Sequence, residues 1–139
     1  MRWIEDTLSK ADVYCLINSI DCIISLHRAE GFGLTLLEAM SLNTLVAATF
    51  YSGNVDFMKP EHSLAVPYSS WLLSKEHPPY VAGTLWAEPS IEICCEQLLE
   101  AIDNPIKQAE LTKKAKAYVD LRYSPQAISK ILAKAINLV

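Results

Sequence analysis

HRAEGFGLTLLEAM, residues 27–40, follows directly on the apolar run CIISL and sets Glu30 and Glu38 on either side of a Gly-Phe-Gly turn. CIISL is rich in β-forming residues and does not alternate, the pattern of a strand buried on both faces of a parallel sheet. The glycines break that strand and LTLLEAM resumes at helical spacing, so residues 21–42 predict a strand, a tight turn and a helix. Gly31 and Gly33 let the backbone turn sharply and come close to a ligand. The amides of Phe32, Gly33 and Leu34 then fall near the N-terminus of the helix, a place suited to phosphate. In open α/β sheets ligands bind beyond the carboxyl ends of the strands, which is where Glu30 falls.

Two carboxylates beside an anion site repel it unless they face something neutral. A carboxylate accepts several hydrogen bonds and can hold two adjacent sugar hydroxyls, so a nucleotide sugar satisfies both features: diphosphate on the amides, hexose on one glutamate, ribose on the other. Glu38 leans back toward the helix N-terminus, which brings a ribose within its reach. Spacing alone leaves a second reading open, in which Glu30 complements the helix dipole and Glu38 is a solvated helix position.

Outward from this unit, Val13, Leu16, Ile17 and Ile20 predict a helix over 10–20, with Ser9 and Asp12 as a capping box. LVAATF (45–50) is a second strand, closed by the turn-rich YSGN, and completes a βαβ unit. A short helix through VDFMK stops before Pro60, and SLAVPY supplies a third strand. Residues 67–89 hold Pro67, Pro78, Pro79 and Pro89 with Trp71 and Trp86, which predicts an irregular but ordered loop. Three helices fill about 90–139: one stripe is Ile91, Cys94, Cys95, Leu98 and Ile102, a second Leu111, Ala115 and Tyr118, a third Ile128, Ile131, Leu132 and Ala135. Ser124 caps the third helix and Pro125 is its first residue. The whole predicts one α/β domain over residues 1–139. Its core, about 9–66, is a partial Rossmann-like, doubly wound parallel sheet in αβαβαβ order, followed by the C-terminal helical cluster. An open sheet of this kind has about five or six strands, so this one reads as a second half.

The chain has 139 residues, 51% apolar and 20% charged, enough for one sizeable core. Its net charge of −4 argues against a general binder of nucleic acid or anionic membrane. Residues 1–102 carry five basic and thirteen acidic groups, residues 103–139 seven basic and three acidic, so the helical tail permits at most peripheral membrane contact. Cys15, Cys22, Cys94 and Cys95 form no CxxC pair and have no histidine cluster beside them, so they predict neither zinc nor chemistry, only free thiols acting as small apolar groups. No apolar run reaches the roughly 20 residues of a membrane span, and MRWIEDTLSK carries acids where a signal peptide is apolar. These features predict a cytoplasmic protein.

EGFGLTLLEAM resembles the E-x7-E motif of the retaining, nucleotide-sugar-dependent glycosyltransferases of the two-domain GT-B fold, known as group 1 glycosyltransferases. SLHRAEGFGLTLLEAM, LVAATFYSGNVDFM, SLAVPY and WAEPS follow in the order found in bacterial members that build O-antigen and other surface polysaccharides, so the likeness spans roughly residues 9–139. The resemblance implies that Glu30 contacts donor-sugar hydroxyls at the reacting centre and that Glu38 binds the ribose. It implies that the backbone of Gly31, Phe32, Gly33 and Leu34 meets sugar and diphosphate. Ser25 and Arg28 sit beside this site, Arg28 as a neutraliser of phosphate charge or as an ordinary exposed arginine. Thr35 either offers a hydroxyl to the phosphate or caps the helix. Gly53, Asn54 and Asp56 match the turn after the next strand, where the family has two glycines and a glutamate. His27 reads as structural, since the family's catalytic histidine belongs to the N-terminal domain. In NTLV, Asn43 and Leu45 replace the glycine and proline of the family's GKPV turn; asparagine tolerates the left-handed conformation that glycine supplies.

What the resemblance implies for activity is hexosyl transfer from a nucleoside diphosphate sugar to a saccharide, with retention, no bound metal and no cofactor beyond the donor. This chain corresponds to the second half of the family's C-terminal domain, so the donor-binding half of the site is here. The acceptor-facing N-terminal domain and the Arg/Lys pair that clamps the diphosphate are not. The isolated chain is therefore expected to be inactive. The alternative is a non-catalytic fragment or split subunit that binds nucleotide sugar or a partner chain, or self-associates through its exposed apolar edge. A receiver-like signalling domain needs an acidic pocket at the first strand and a later lysine, neither of which this order supplies.

Overall fold

The protein was analysed as a computed structural model describing residues 3–136. Residues 1–2 and 137–139, the ends of the expected domain and of its last helix, lie outside the described residues. In chain order the elements are α1 (Lys10–Asn18), β1 (Cys22–Ser25), α2 (Leu34–Ser41), β2 (Leu45–Thr49), a 3₁₀ turn (Gly53–Asp56), β3 (Leu64–Val66), β4 (Tyr68–Leu72), β5 (Leu85–Pro89), α3 (Ile91–Asp103), α4 (Pro105–Tyr123) and α5 (Pro125–Ala135). β1, β2 and β3 form a parallel sheet in that order, with Cys22 opposite Leu45 and Ala47 opposite Leu64.

All five residues of β2 are buried, which explains why its first four, Leu45 to Ala48, are continuously apolar. Val46 and Ala48 face a layer made of Ile17 from α1, Leu36, Ala39 and Met40 from α2, and Ala115 and Val119 from α4, completed by Phe57 and Met58. Leu45 and Ala47 face the opposite layer, with Leu64 and Ala101 of α3. Helices therefore cover both faces, the doubly wound arrangement. Full burial of each large side chain here stabilises the fold by about 1.5–3 kcal/mol.

Local signals set the helix ends. Ser9 Oγ accepts from the Asp12 amide while the Asp12 carboxylate accepts from the Ser9 amide, closing the capping box. Ser124 accepts from the Ala127 amide with Pro125 in the first turn, and Asn104 with Pro105 repeats the device at α4. Asn43 has φ 64°, the left-handed geometry its side chain tolerates.

Three expectations need correction. Residues 67–89 are not irregular: β4 and β5 pair antiparallel, with Tyr68 opposite Pro89 and Trp71 opposite Trp86. Every residue of β4 is exposed, so no apolar alternation marked it, and Pro89 ends its strand, where a missing amide is tolerated. The helix through VDFMK shrinks to one 3₁₀ turn. Cys15 and Cys95 are exposed, whereas Cys94 is buried and Cys22 half-buried. Burial pushes the Cys22 thiol up to about 11, which keeps it protonated at neutral pH.

Candidate functional site

The turn between β1 and α2 rests on a scaffold of hydrogen bonds from the end of β2. Ser52, at φ 77°, donates its hydroxyl to the Glu30 carbonyl. His27 spans the same gap: Nδ1 meets Ser25 Oγ at 3.1 Å and Nε2 meets the Tyr51 carbonyl at 3.1 Å. A carbonyl only accepts, so Nε2 carries the proton, and in the neutral ring Nδ1 accepts from Ser25. His27 thus ties the ends of β1 and β2 together, consistent with its structural reading.

The glycine requirement falls differently from expectation. Gly33 is the N-cap of α2 at φ 83°, a conformation that side chains disfavour. Gly31 does not have a positive φ, and a Cβ there would meet nothing within 4 Å. The second indispensable glycine is Gly53, where a Cβ would collide with the Gly31 carbonyl and lie 3.0 Å from Phe32 Cα. Its bare backbone lets the 3₁₀ turn pack directly beneath the Glu30–Phe32 segment. Phe32 in turn stacks on buried Phe57, ring centroids 5.2 Å apart.

Above this scaffold lies a cavity of about 460 Å³ lined by Ile23, Ile24, Ser25, Glu30, Phe32, Gly33, Leu34, Thr35 and Leu36. The amides of Phe32, Gly33, Leu34 and Thr35 have no hydrogen-bond acceptor among the described residues, and they cluster at the positive end of α2. Glu30 is half-buried and its Oε1 accepts from the Gly31 amide at 2.8 Å. Thr35 is an exposed residue inside α2, so it does not cap the helix; its position is on the cavity wall.

Other predicted residues sit elsewhere. Glu38 does not line the cavity: it is half-buried one helical turn beyond Leu34, and its Oε1 accepts from the Tyr14 hydroxyl at 3.0 Å. Arg28 turns away to a bidentate pair with Glu88 of β5, Nε–Oε2 2.6 Å and Nη2–Oε1 2.8 Å. The pair raises the Arg28 pKa and holds the Glu88 carboxyl below its ordinary range. Asn54 is fully buried beneath the turn, donating to the Thr49 carbonyl at 2.9 Å, and Gly53 is a packing position. Neither residue is on the cavity wall expected of a substrate contact: Asn54 is fully buried, and Gly53, half-buried, packs its backbone against Gly31. Sequence reading missed Ser52, Tyr14 and Glu88. Ser52 and Glu88 lay within stretches already singled out, YSGN and WAEPS, but their partners, like that of Tyr14, lie 22, 60 and 24 residues away along the chain.

Among the described residues no helix is long and apolar enough to cross a membrane, and no group of three or more His, Cys, Asp or Glu is placed to hold a metal ion. The sequence matches the family described as glycosyl transferases group 1 over residues 5–118. No curated protein matches it.

Proposed function

Because the chain belongs to the group 1 glycosyltransferases, we propose that its cavity is the donor half of an active cleft for transfer of a hexose from a nucleoside diphosphate sugar to a saccharide. The observation that carries this reading is the set of unpartnered amides from Phe32 to Thr35 converging beside Glu30 at the carboxyl end of β1. Those amides and the α2 dipole bind the diphosphate and stabilise the charge that grows on the leaving group. Thr35 and Ser25 add hydroxyls from the wall. Glu30 holds hexose hydroxyls and stabilises the oxocarbenium-like centre electrostatically, and Glu38 holds the ribose. Transfer proceeds with retention at the anomeric carbon and without a metal, in the assembly of a surface polysaccharide at the cytoplasmic side of a membrane.

A second reading has its own observation. β1 is the edge of the sheet, Ile24 on it is 52% exposed, and the cavity is bounded by that open edge. A parallel strand left open in this way favours a chain that binds donor and docks on a partner, without catalysing transfer by itself.

Calorimetric titration with nucleoside diphosphates and their sugars tests the first reading. Wild type is expected to bind, and Glu38→Ala to bind roughly tenfold or more weakly, the scale of hydrogen bonds to a charged group. Absence of binding by every nucleotide and nucleotide sugar sinks it. Hexose transfer by the chain alone sinks the second.

A further inference from the structure

Glu38 does not stand free on α2. The Tyr14 hydroxyl of α1 donates to its Oε1 at 3.0 Å, and the Lys10 ammonium lies 5.3 Å from the centre of the Tyr14 ring. Lys10 and Tyr14 are one turn apart on α1 and share a face of it, and Tyr14 is the one that bonds to α2. The Lys10 pKa is raised, chiefly through Tyr14 and less through Glu38. Tyr14 and Glu38 are both half-buried. A half-buried carboxylate on a helix has several rotamers, and a single neutral donor on one oxygen selects among them while the other oxygen keeps its lone pairs. Glu38 Oε2 has no protein partner among the described residues.

We propose that Tyr14 is a positioning residue that fixes the Glu38 carboxylate so that Oε2 faces the ribose hydroxyls of the nucleotide. The inference rests on the proposed role of Glu38 and adds a determinant from a different helix, 24 residues away in sequence. Tyr14 touches no substrate; it acts through Glu38. Losing its hydroxyl frees the carboxylate to rotate, so the ribose contact pays an ordering cost at each binding event.

The test compares ribose and dideoxyribose ligands. Affinities are measured for ADP, GDP and UDP and for their 2′,3′-dideoxy forms, on wild type, Tyr14→Phe, Glu38→Gln and the double variant. Wild type is expected to prefer the ribonucleotide. Tyr14→Phe, which keeps the ring and its packing, is expected to cut that preference roughly three- to tenfold, the scale of one net hydrogen bond, and to leave dideoxynucleotide affinity unchanged. On a Glu38→Gln background the Tyr14 change is expected to add little. An undiminished ribose preference in Tyr14→Phe overturns the role of Tyr14 and leaves that of Glu38 standing. An equal loss for both ligands overturns it too, by showing a purely structural effect. A wild type that binds no diphosphate, or binds both sugars alike, overturns the reading of Glu38 and this inference with it.

Discussion

β3 and β4 are separated by one residue, Pro67, yet they belong to different kinds of sheet. In β3, Leu64 and Val66 are buried between helical layers; in β4 every residue is exposed and the pairing to β5 is local. The parallel sheet is held by side chains brought together from α1, α2 and α4. The antiparallel ribbon is held by cross-strand rings, Trp71 and Trp86 at 6.0 Å and Tyr80 on Trp86 at 5.1 Å. The Glu30 turn lies between the two. It rests on the sheet through Ser52, Gly53 and Phe57, and it is tied to the ribbon where the Ala87 amide donates to the Arg28 carbonyl at 3.0 Å and Glu88 grips the Arg28 guanidinium. A site built this way inherits its rigidity from one region and its latch from the other.

The sharpest break in this contrast is Phe57→Ala. Phe57 is fully buried and supports both Phe32 of the turn and Tyr123 of α4, at 5.2 and 6.1 Å. Truncation leaves a cavity under the turn and is expected to cost about 3–5 kcal/mol, read as a lower urea midpoint. A loss below about 0.5 kcal/mol, the range of ordinary surface changes, removes the claim that the sheet side carries the site.

Gly53→Ala comes next. The φ of Gly53 is not positive, so the expected damage is steric rather than conformational: the new methyl strikes the Gly31 backbone. Overpacking of this kind costs about 1–3 kcal/mol, and here it also lifts the Glu30 segment from its bed. Nucleotide affinity should therefore fall further than stability alone predicts, and an affinity unchanged in a destabilised variant argues that the segment moves as a rigid piece.

The same contrast explains what was legible in the sequence. β2 announced itself because burial on both faces demands apolar residues, and α1 and α5 because Ser9, Asp12, Ser124 and Pro125 act locally; β1 was legible from the same apolar pattern, but the burial expected on both its faces is corrected, since it is the sheet edge and Ile24 stands 52% exposed. The Glu30 turn was legible because glycines and the helix start are adjacent in sequence. β4 was not, since an exposed strand leaves no burial pattern, and β5 was passed over with it because Pro78 and Pro79 in the loop between them suggested disruption, although Ala87 and Pro89 are buried. The partners of the site were hidden for a related reason: Tyr14 to Glu38, and Arg28 to Glu88, are contacts that only the folded chain creates. Asn54 misled because its type suits a ligand contact, while its place beneath Gly33 makes it a buried bracket for the Thr49 carbonyl.

The smallest expected effect is also the most discriminating. Arg28 and Glu88 are both exposed, so their pair adds little to global stability, and Glu88→Gln is expected to leave the unfolding midpoint unchanged within error. What it should change is local: amide exchange at Ala87 and along β5 speeds up because the latch to the Arg28 segment is loosened, while β2 amides keep their protection. Acid should act in the same way on the wild type. Arg28 lowers the Glu88 pKa in the folded protein, so the pair's contribution is present above the ordinary glutamate value and is lost as pH falls through the lowered one. Ribbon protection, taken relative to the intrinsic exchange rate at each pH, should fall in that window in wild type and show no such step in Glu88→Gln. Accelerated exchange in β2 together with β5 would mean that ribbon and sheet open as a single unit, and the division of labour around Glu30 would have to be abandoned.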